Sequence, residues 1–398
     1  MRIGLVAAVS IWTAGAVFLT ARPVLGQVNL PEGFEIVEFV VSEHYTDIPS
    51  INECGQIVFG KRLGSSWRDA EIFLYDNGDI VRITNNRDRD VLPRINDNGT
   101  IVWFRGHGDE AITQVILYQN GQERVIDDFK PDIGSGSING PGHLAWSRFR
   151  ASPCPLAQDI MFWDGVEITR ITPKDHYNDQ MPELNDDDWI VWGHSYNCVR
   201  PWEGDIRLYR AGETIVLPSN TKQPQVSSIN NLGQIAWSAS GTIEFWEDGQ
   251  TRVLIDWGSN PRLNNLGDVY FLRFYDENRS WDAWLYRVSK GEPRFYRLTD
   301  EDPWNTAGDI NDFAEVAWHW MESPHNWAGG VRFMRRIRTG DSEFDGDIDL
   351  MDYKIFAGCM TGPGRVDRLC DCRFLDIDHD GDVDLADFAR FQNAFTGS

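Results

Sequence analysis

An Asn followed seven residues later by an aromatic residue recurs seven times, and this repeat limits the fold more than any other feature of the chain. Successive Asn residues are 44, 43, 46, 45, 34 and 47 positions apart. The seven pairs are Asn52–Phe59, Asn96–Trp103, Asn139–Trp146, Asn185–Trp192, Asn230–Trp237, Asn264–Phe271 and Asn311–Trp318. A period near 44 residues is typical of propeller blades, each of which contains four short strands.

Each block contains the turns and strands that such a blade needs. The stretch after the Asn is a turn, as in INDNGTIVW and INNLGQIAW, because Asn and Gly readily adopt the positive φ of a hairpin. A variable loop, an apolar strand, a second turn and a further strand follow. We therefore interpret the repeated Asn and aromatic residues as structural, serving in turns and in packing between blades.

The two ends of the repeat region predict how the ring closes. The last block ends near GGVRFMRRI, residues 329–337, and lacks a fourth strand, whereas GFEIVEFV, residues 33–40, precedes the first block. An N-terminal strand that completes the last blade would remove its open edges. The sequence thus predicts an all-β, seven-bladed β-propeller over residues 33–340. The blades resemble those of bacterial propellers related to the Tol-associated family, which read roughly P-x-W-S-P-D-G, with Asn here in place of Ser.

The last sixty residues contain a twelve-residue acidic loop twice, DSEFDGDIDLMD at 341–352 and DIDHDGDVDLAD at 376–387. Ca²⁺ takes six to eight oxygen ligands, and EF-hand loops supply them from positions 1, 3, 5, 7 and 12 around a Gly at position 6. Two Ca²⁺ ions are expected, with position 7 contributing its carbonyl. The candidate ligands are Asp341, Glu343, Asp345, Asp347 and Asp352 in the first loop, and Asp376, Asp378, Asp380, Asp382 and Asp387 in the second.

Both loops end in Asp, and Thr339-Gly340 leaves no room for a helix before the first loop. A duplicated loop-then-helix unit of this kind resembles the type I dockerin domain, a small secreted calcium module that docks onto a cohesin partner. The resemblance covers residues 341–398 and implies an α-helical module that binds a cohesin-like or cell-surface protein. The chain departs from the family at Glu343 and in the insert CMTGPGRVDRLCDC.

Recognition in the dockerin family lies at loop positions 10 and 11 and along the following helix. These positions are Leu350 and Met351 in the first loop, and Leu385 and Ala386 in the second. The alternative is that Leu350 and Leu385 pack the two helices against each other.

Residues 1–26 are interpreted as an export signal, with Arg2, an apolar run and cleavage after Val24-Leu25-Gly26. A membrane anchor is the alternative interpretation of this run. With the signal removed no membrane span is expected, which predicts a secreted or cell-surface protein. The net charge of −24 argues against nucleic-acid binding, which needs clustered Lys and Arg.

Six cysteines in an exported chain favour disulfides over zinc. Cys154 and Cys198 fall in equivalent loops of adjacent blades and are expected to pair. Cys359 is expected to pair with Cys370 or Cys372, while Cys54 is either free or bonded to the one left over.

Function is expected on the propeller face that carries the loops between second and third strands and the linkers between blades. The sequence contains none of the HExxH, GxSxG, P-loop or GxGxxG motifs expected of common enzyme classes, so catalytic residues stay unassigned. We expect a non-catalytic propeller that binds polysaccharide or protein. The alternatives are a glycoside hydrolase or polysaccharide lyase working in the propeller mouth, and a purely structural surface protein. Linker residues that could supply acids or metal ligands are His44, Asp47, Asp90, Asp175, His176, Asp179, Asp300 and Asp302.

Overall fold

The computed structural model describes most of the chain from residue 28 onward. The described residues are 28–42, 44, 47–64, 66–107, 111–130, 132–150, 157–173, 175, 177–196, 203–219, 224–275, 280–289, 292–300, 304–323, 326–342, 347–360, 370–378 and 380–396. The predicted export signal, Glu343, Asp345 and the predicted Cys154–Cys198 bridge lie outside them.

Twenty-eight strands form seven antiparallel sheets of four within this part of the chain. In chain order they are β1 (Phe34–Ser42); β2 (Ser50–Ile51), β3 (Ile57–Arg62), β4 (Ala70–Asp76) and β5 (Asp79–Arg82); β6 (Arg89–Ile95), β7 (Ile101–Gly106), β8 (Ile112–Gln119) and β9 (Gln122–Asp128); β10 (Ile133–Ile138), β11 (Leu144–Phe149), β12 (Gln158–Trp163) and β13 (Ile168–Arg170); β14 (Asn178–Leu184), β15 (Ile190–Ser195), β16 (Gly204–Arg210) and β17 (Glu213–Leu217); β18 (Pro224–Ile229), β19 (Ile235–Ala239), β20 (Thr242–Glu247) and β21 (Gln250–Ile255); β22 (Ser259–Leu263), β23 (Val269–Tyr275), β24 (Ser280–Ser289) and β25 (Glu292–Arg297); and β26 (Trp304–Ile310), β27 (Val316–Ser323) and β28 (Asn326–Arg336).

The fold is the predicted seven-bladed β-propeller, closed by its N-terminal strand. Blade seven has the order β1-β28-β27-β26, and β1 runs antiparallel to β28 from the pair Phe34 and Arg336 to the pair Ser42 and Gly329. Two short α-helices follow the propeller, α1 (Leu350–Cys359) and α2 (Leu385–Ala394).

The seven repeated aromatic residues lie in the propeller core, as their spacing predicts. Each is at most 1% exposed and belongs to the second strand of its blade. Where the residue is Trp, its indole N–H needs a buried acceptor. Trp103 donates to Asp90 at 3.0 Å, and Trp192 donates to Asp179 at 2.7 Å. These acceptors fix each ring at one depth between two blades.

The seven repeated Asn residues form a closed ring of hydrogen bonds around the propeller axis. Each side-chain Nδ2 donates to the main-chain carbonyl of the next Asn, and Asn311 returns to Asn52 at 3.2 Å. The other six distances lie between 2.9 and 3.1 Å. Each Oδ1 accepts the amide four residues later, which closes the local turn. One amide group therefore builds a turn and joins two blades.

Candidate functional site

The two faces of the propeller carry different connections between strands. The lower face carries the turns between the first and second and between the third and fourth strands, and the C-terminal module contacts it. The upper face carries the loops between the second and third strands and the linkers between blades.

The second acidic loop gathers carboxylates in the arrangement expected of a metal site. One oxygen from each of Asp376, Asp378, Asp380 and Asp387 lies within 4.8 Å of the others. Gly381, at loop position 6, has φ +95°, which lets the chain turn sharply between the ligand positions. Four of the five residues that the sequence predicts as ligands of this loop thus lie together, and Asp382 forms a second group with Asp384 and Asp387.

The first acidic loop repeats the smaller of these groups. Asp347, Asp349 and Asp352 place one oxygen each within 4.8 Å of one another, as do the residues at the same positions of the second loop. Asp341 is also described, whereas Glu343 and Asp345 lie outside the described residues. The described half of this loop is therefore built like the second one.

The last carboxylate of each loop ties the loop to its helix. Asp387 is fully buried and accepts the amides of Ile377 at 2.6 Å and Asp384 at 2.9 Å. Asp352 is bonded in the same way to the amides of Ser342 and Asp349. Each loop and the first turn of its helix therefore form one hydrogen-bonded unit.

Asp349 and Asp384, at loop position 9, are the N-caps of α1 and α2. This role was not predicted from the sequence, although an Asp three residues before a second acid is a capping-box signal. Their carboxylates also stabilise the helices electrostatically, since negative charge is favourable at a helix N-terminus.

The chemistry of these loops fits a hard divalent cation. Oδ1 of Asp378 is shielded from solvent and has no hydrogen-bond donor in the described part of the chain. Burial, together with the neighbouring Asp387 and Asp380, raises the pKa of Asp378. A divalent cation would offset the repulsion among these carboxylates and give that oxygen a partner. The acidic clusters can therefore bind metal.

Apolar residues of the module divide between a small core and an exposed surface. Phe356, Phe391 and Leu375 are buried in one cluster. Leu350 and Leu385 are 66% and 71% exposed, so the interpretation in which they pack the helices together is wrong. Each stands at the first position of its helix, where its side chain points away from that cluster.

One of the predicted disulfides is present within the module. Cys359 bonds to Cys372, with the two Cα atoms 5.4 Å apart. Cys54 is also disulfide-bonded rather than free. Of the two candidates that the sequence offers for Cys54, Cys370 is the one that Cys359 leaves over, and this pairing stays a prediction.

The upper-face carboxylates proposed for catalysis are already bonded to protein donors. Asp90 is buried and receives Arg105 at 2.7 Å besides Trp103. Asp179 is buried and receives the Nδ1 of His194 at 2.7 Å. The amide of Leu92 donates to Asp47. This arrangement weighs against a glycosidase pair built from these acids, while His176 and Asp302 lie outside the described residues.

Four blades carry a charged side chain on the first strand, and three of these side chains meet across the ring. Glu183 of blade four receives Arg262 of blade six at 2.7 Å and lies 3.9 Å from Arg94 of blade two. Asp309 of blade seven accepts the Ser50 hydroxyl at 2.9 Å. All of these residues stand two positions before a repeated Asn. This layer was not predicted from the sequence, although charge at that position in four of the seven blades was a visible signal.

Two exposed tyrosines flank a buried histidine on the upper face of blade four. Tyr177 and Tyr196 are 40% and 49% exposed, and their ring centroids lie 4.9 and 5.7 Å from that of His194, which is 2% exposed. The Tyr196 hydroxyl donates to Asp205 at 2.8 Å, and this bond is the first cause of its raised pKa. The hydroxyl bond thereby holds the Tyr196 ring at the surface, while the Tyr177 ring packs against His194.

Among the described residues, no helix is long and apolar enough to cross a membrane.

No protein-family model and no curated protein matches the chain. Solved propellers do resemble it. The β-propeller domain of the Trilobed protease from Pyrococcus furiosus matches with TM-score 0.52 and 12% identity over 74% of this chain and 97% of that one. Pyrococcus horikoshii acylaminoacyl peptidase matches with TM-score 0.53 and 16% identity over 75% of this chain and 54% of the peptidase. TolB from Acinetobacter baumannii has TM-score 0.43 and 13% identity over 66% of each chain.

At these identities the likeness extends to the fold alone. The Trilobed protease domain is described as having an open velcro topology. In the present chain, by contrast, β1 pairs with β28 and closes the ring.

Proposed function

We propose that this protein is exported, binds two Ca²⁺ ions in its C-terminal module, and uses that module to attach a polysaccharide-binding propeller to a protein partner. The observation that carries the proposal is the matched exposure of Leu350 and Leu385. The two leucines occupy the same position in two copies of one loop-and-helix unit. Large apolar side chains left in water at equivalent places favour a docking surface.

The neighbours of these leucines extend both surfaces. Met351 is 48% exposed and Tyr353 is 43% exposed on α1, and Ala386 is exposed on α2. The resemblance to dockerins points to the same residues, so a cohesin-like or cell-surface protein is the proposed partner. Two similar surfaces on one module would let the partner bind in either of two orientations.

The docking surface is tested with the double variant Leu350→Asp, Leu385→Asp in the full chain. Asp is favourable at the first position of a helix, so the module should still fold and bind calcium. Capture by a cell-surface fraction of the source organism, in the presence of calcium, should be lost. The matched control is Leu232→Asp, Leu266→Asp, which changes leucines 68% and 65% exposed on propeller turns. Equal capture of both variants would contradict docking through the module.

Tyr177 and Tyr196 support polysaccharide as the propeller ligand. Flat aromatic rings at a surface can stack on the apolar faces of sugars. Tyr196→Ala should therefore weaken retention on a polysaccharide column. Phe274→Ala, a control on blade six where the ring is 40% exposed, should not.

The same polysaccharide panel separates binding from catalysis. Retention without new reducing ends is the expected result, because the rim carboxylates are engaged in bonds to Arg105, His194 and main-chain amides. Release of reducing ends would favour the glycosidase alternative. Export is checked independently by N-terminal sequencing of the natural protein, which should begin after Gly26.

A further inference from the structure

The first ligand position of the second loop, Asp376, lies in the contact between the module and blade one. It is 3% exposed. Its Oδ2 accepts the Nδ2 of Asn77, in the turn between β4 and β5, at 3.0 Å, and a guanidinium nitrogen of Arg338 at 2.7 Å. Arg338 also donates to the Oδ1 of Asn77. The three side chains therefore form a closed triangle between propeller, linker and calcium loop.

We propose that the second calcium site is a composite site, in which Asn77 of the propeller is a positioning residue for the calcium ligand Asp376. This inference rests on the proposed calcium function. Ion binding in the second loop and seating of the module on blade one are then linked, and each strengthens the other by the same factor.

Both oxygens of Asp376 bond to the loop, and one of them also bonds to groups outside it. Oδ1 accepts the amide of Asp380 at 3.1 Å, whereas Oδ2 accepts the amide of Gly381 at 3.3 Å and the donors from the propeller and the linker. A ligand held by an outer partner loses less freedom when the ion binds, and removal of such a partner typically weakens metal binding about 10- to 100-fold.

Asn77 is a cleaner probe of this positioning than Arg338. The positive charge of Arg338 repels Ca²⁺ while its hydrogen bonds orient Asp376, so its removal would have two opposing effects. Asn77 is neutral and contributes orientation alone. Its φ of +48° in an Asn-Gly turn also means that Gly can replace it without backbone strain.

Other contacts in the same seam do not involve calcium ligands. Arg373 pairs with Glu315 at 2.5 Å, and the rings of Phe374 and Phe313 lie 4.7 Å apart. Both come from the segment before the second loop. These contacts keep the module attached when the calcium-dependent triangle is broken, so loss of positioning can be measured in a folded, intact chain.

The test measures calcium binding to the full chain by isothermal titration for Asn77→Gly and for the matched control Asn120→Gly. Asn120 occupies the same Asn-Gly turn in blade two, between β8 and β9, with φ +53°. We expect Asn77→Gly to weaken one of two sites at least tenfold and Asn120→Gly to weaken neither. In an Asp352→Asn background the remaining site should be the weakened one; in an Asp387→Asn background Asn77→Gly should have no further effect.

The reciprocal effect is read by hydrogen exchange in residues 74–80. Calcium should slow exchange there in the native chain and in Asp352→Asn, but not in Asp387→Asn. Two native-like sites in Asn77→Gly, or exchange in this turn that is indifferent to calcium, would overturn the composite site while leaving calcium binding intact. Absence of calcium binding in the native chain would overturn the calcium proposal and this inference together.

Discussion

The propeller and the C-terminal module use buried polar groups in opposite ways. Each repeated Asn side chain in the propeller has protein partners for both its oxygen and its nitrogen, as Asn185 does with Trp189 and Asn230. In the module, carboxylates such as Asp376, Asp378 and Asp387 face one another. The Asn ring of the propeller is thus satisfied by protein groups alone, whereas the carboxylate cluster of the module can bind a cation.

Size strengthens this contrast. The propeller distributes its core over seven repeats, but the module of about 60 residues has a single small cluster around Phe356 and Phe391. Domains this small bury too little apolar surface to tolerate much electrostatic repulsion. The module should therefore respond to metal and redox conditions to which the propeller is indifferent.

Removal of calcium should give the largest effect. With excess chelator we expect the module to unfold while the propeller stays folded, because apo repulsion acts only within residues 341–398 and metal binding supplies folding free energy. Differential scanning calorimetry should show the low-temperature transition disappear on chelation and return with added Ca²⁺.

Asp387→Asn in the presence of calcium should weaken the low-temperature transition without abolishing it. Asp282, an equally buried carboxylate in the propeller, offers a control outside the module. Asp282→Asn should alter only the high-temperature transition. A single transition that chelation shifts as a whole would show that module and propeller unfold together.

Opening the Cys359–Cys372 disulfide should have the next largest effect. The bond closes a loop with a sequence separation of 13, and a loop near that length is worth about 3 kcal/mol in the chain-entropy estimate. Cys359→Ser should therefore lower the melting temperature of the module and weaken calcium binding. The propeller transition should stay in place, and its movement would contradict the separation of the two regions.

Breaking the Asn ring should destabilise the propeller and leave the module unchanged. Asn185→Ala removes the bond to the Asn230 carbonyl at 3.1 Å and takes away the Oδ1 acceptor of the Asp187 and Trp189 amides. The expected loss is about 2 to 3 kcal/mol, measured by denaturant unfolding. Asn231→Ala, an exposed Asn in the neighbouring turn, should cost less than about 1 kcal/mol, and calcium titration should be native-like in both variants.

The propeller could be predicted from the sequence because one Asn recurs at the same place in every blade. Asn52 and its six counterparts were predicted as turn formers, and that local role is real. Their second role joins residues 34 to 47 positions apart, and 259 apart where the ring closes, which no local pattern describes. The available signal was chemical: Asp could cap such a turn but has no donor when ionised, whereas Asn also provides a donor for the next blade.

The site residues likewise divide into contacts within one loop, which the sequence predicts, and contacts between distant regions, which it does not. Spacing within one loop predicted Asp376, Asp378, Asp380 and Asp387 as neighbours. Asp376 contacts Asn77, which lies 299 residues away in sequence. This contact depends on how the module packs against the propeller, and no sequence pattern around either residue predicts it. The exposure of Leu350 was also left open, because helix periodicity alone does not say which face a partner covers.

Titration of Glu53 should give the smallest effect, and it concerns the lower face of the propeller. Both of its carboxylate oxygens accept the amide of Asp312, at 2.9 and 3.0 Å. Burial, and next the charge of Asp312, raise its pKa from 4.5 to about 8. Between these values the folded state holds a proton that the unfolded state has lost, so this group makes stability fall as pH rises through the window.

With calcium saturating, Glu53→Gln should raise the melting temperature of the propeller by about 2 to 4 °C at pH 8 and by less at pH 5. Glu213→Gln, at an exposed position on β17, should leave the pH dependence unchanged. An equal shift at both pH values would mean that Glu53 acts through its shape in the turn rather than through its charge.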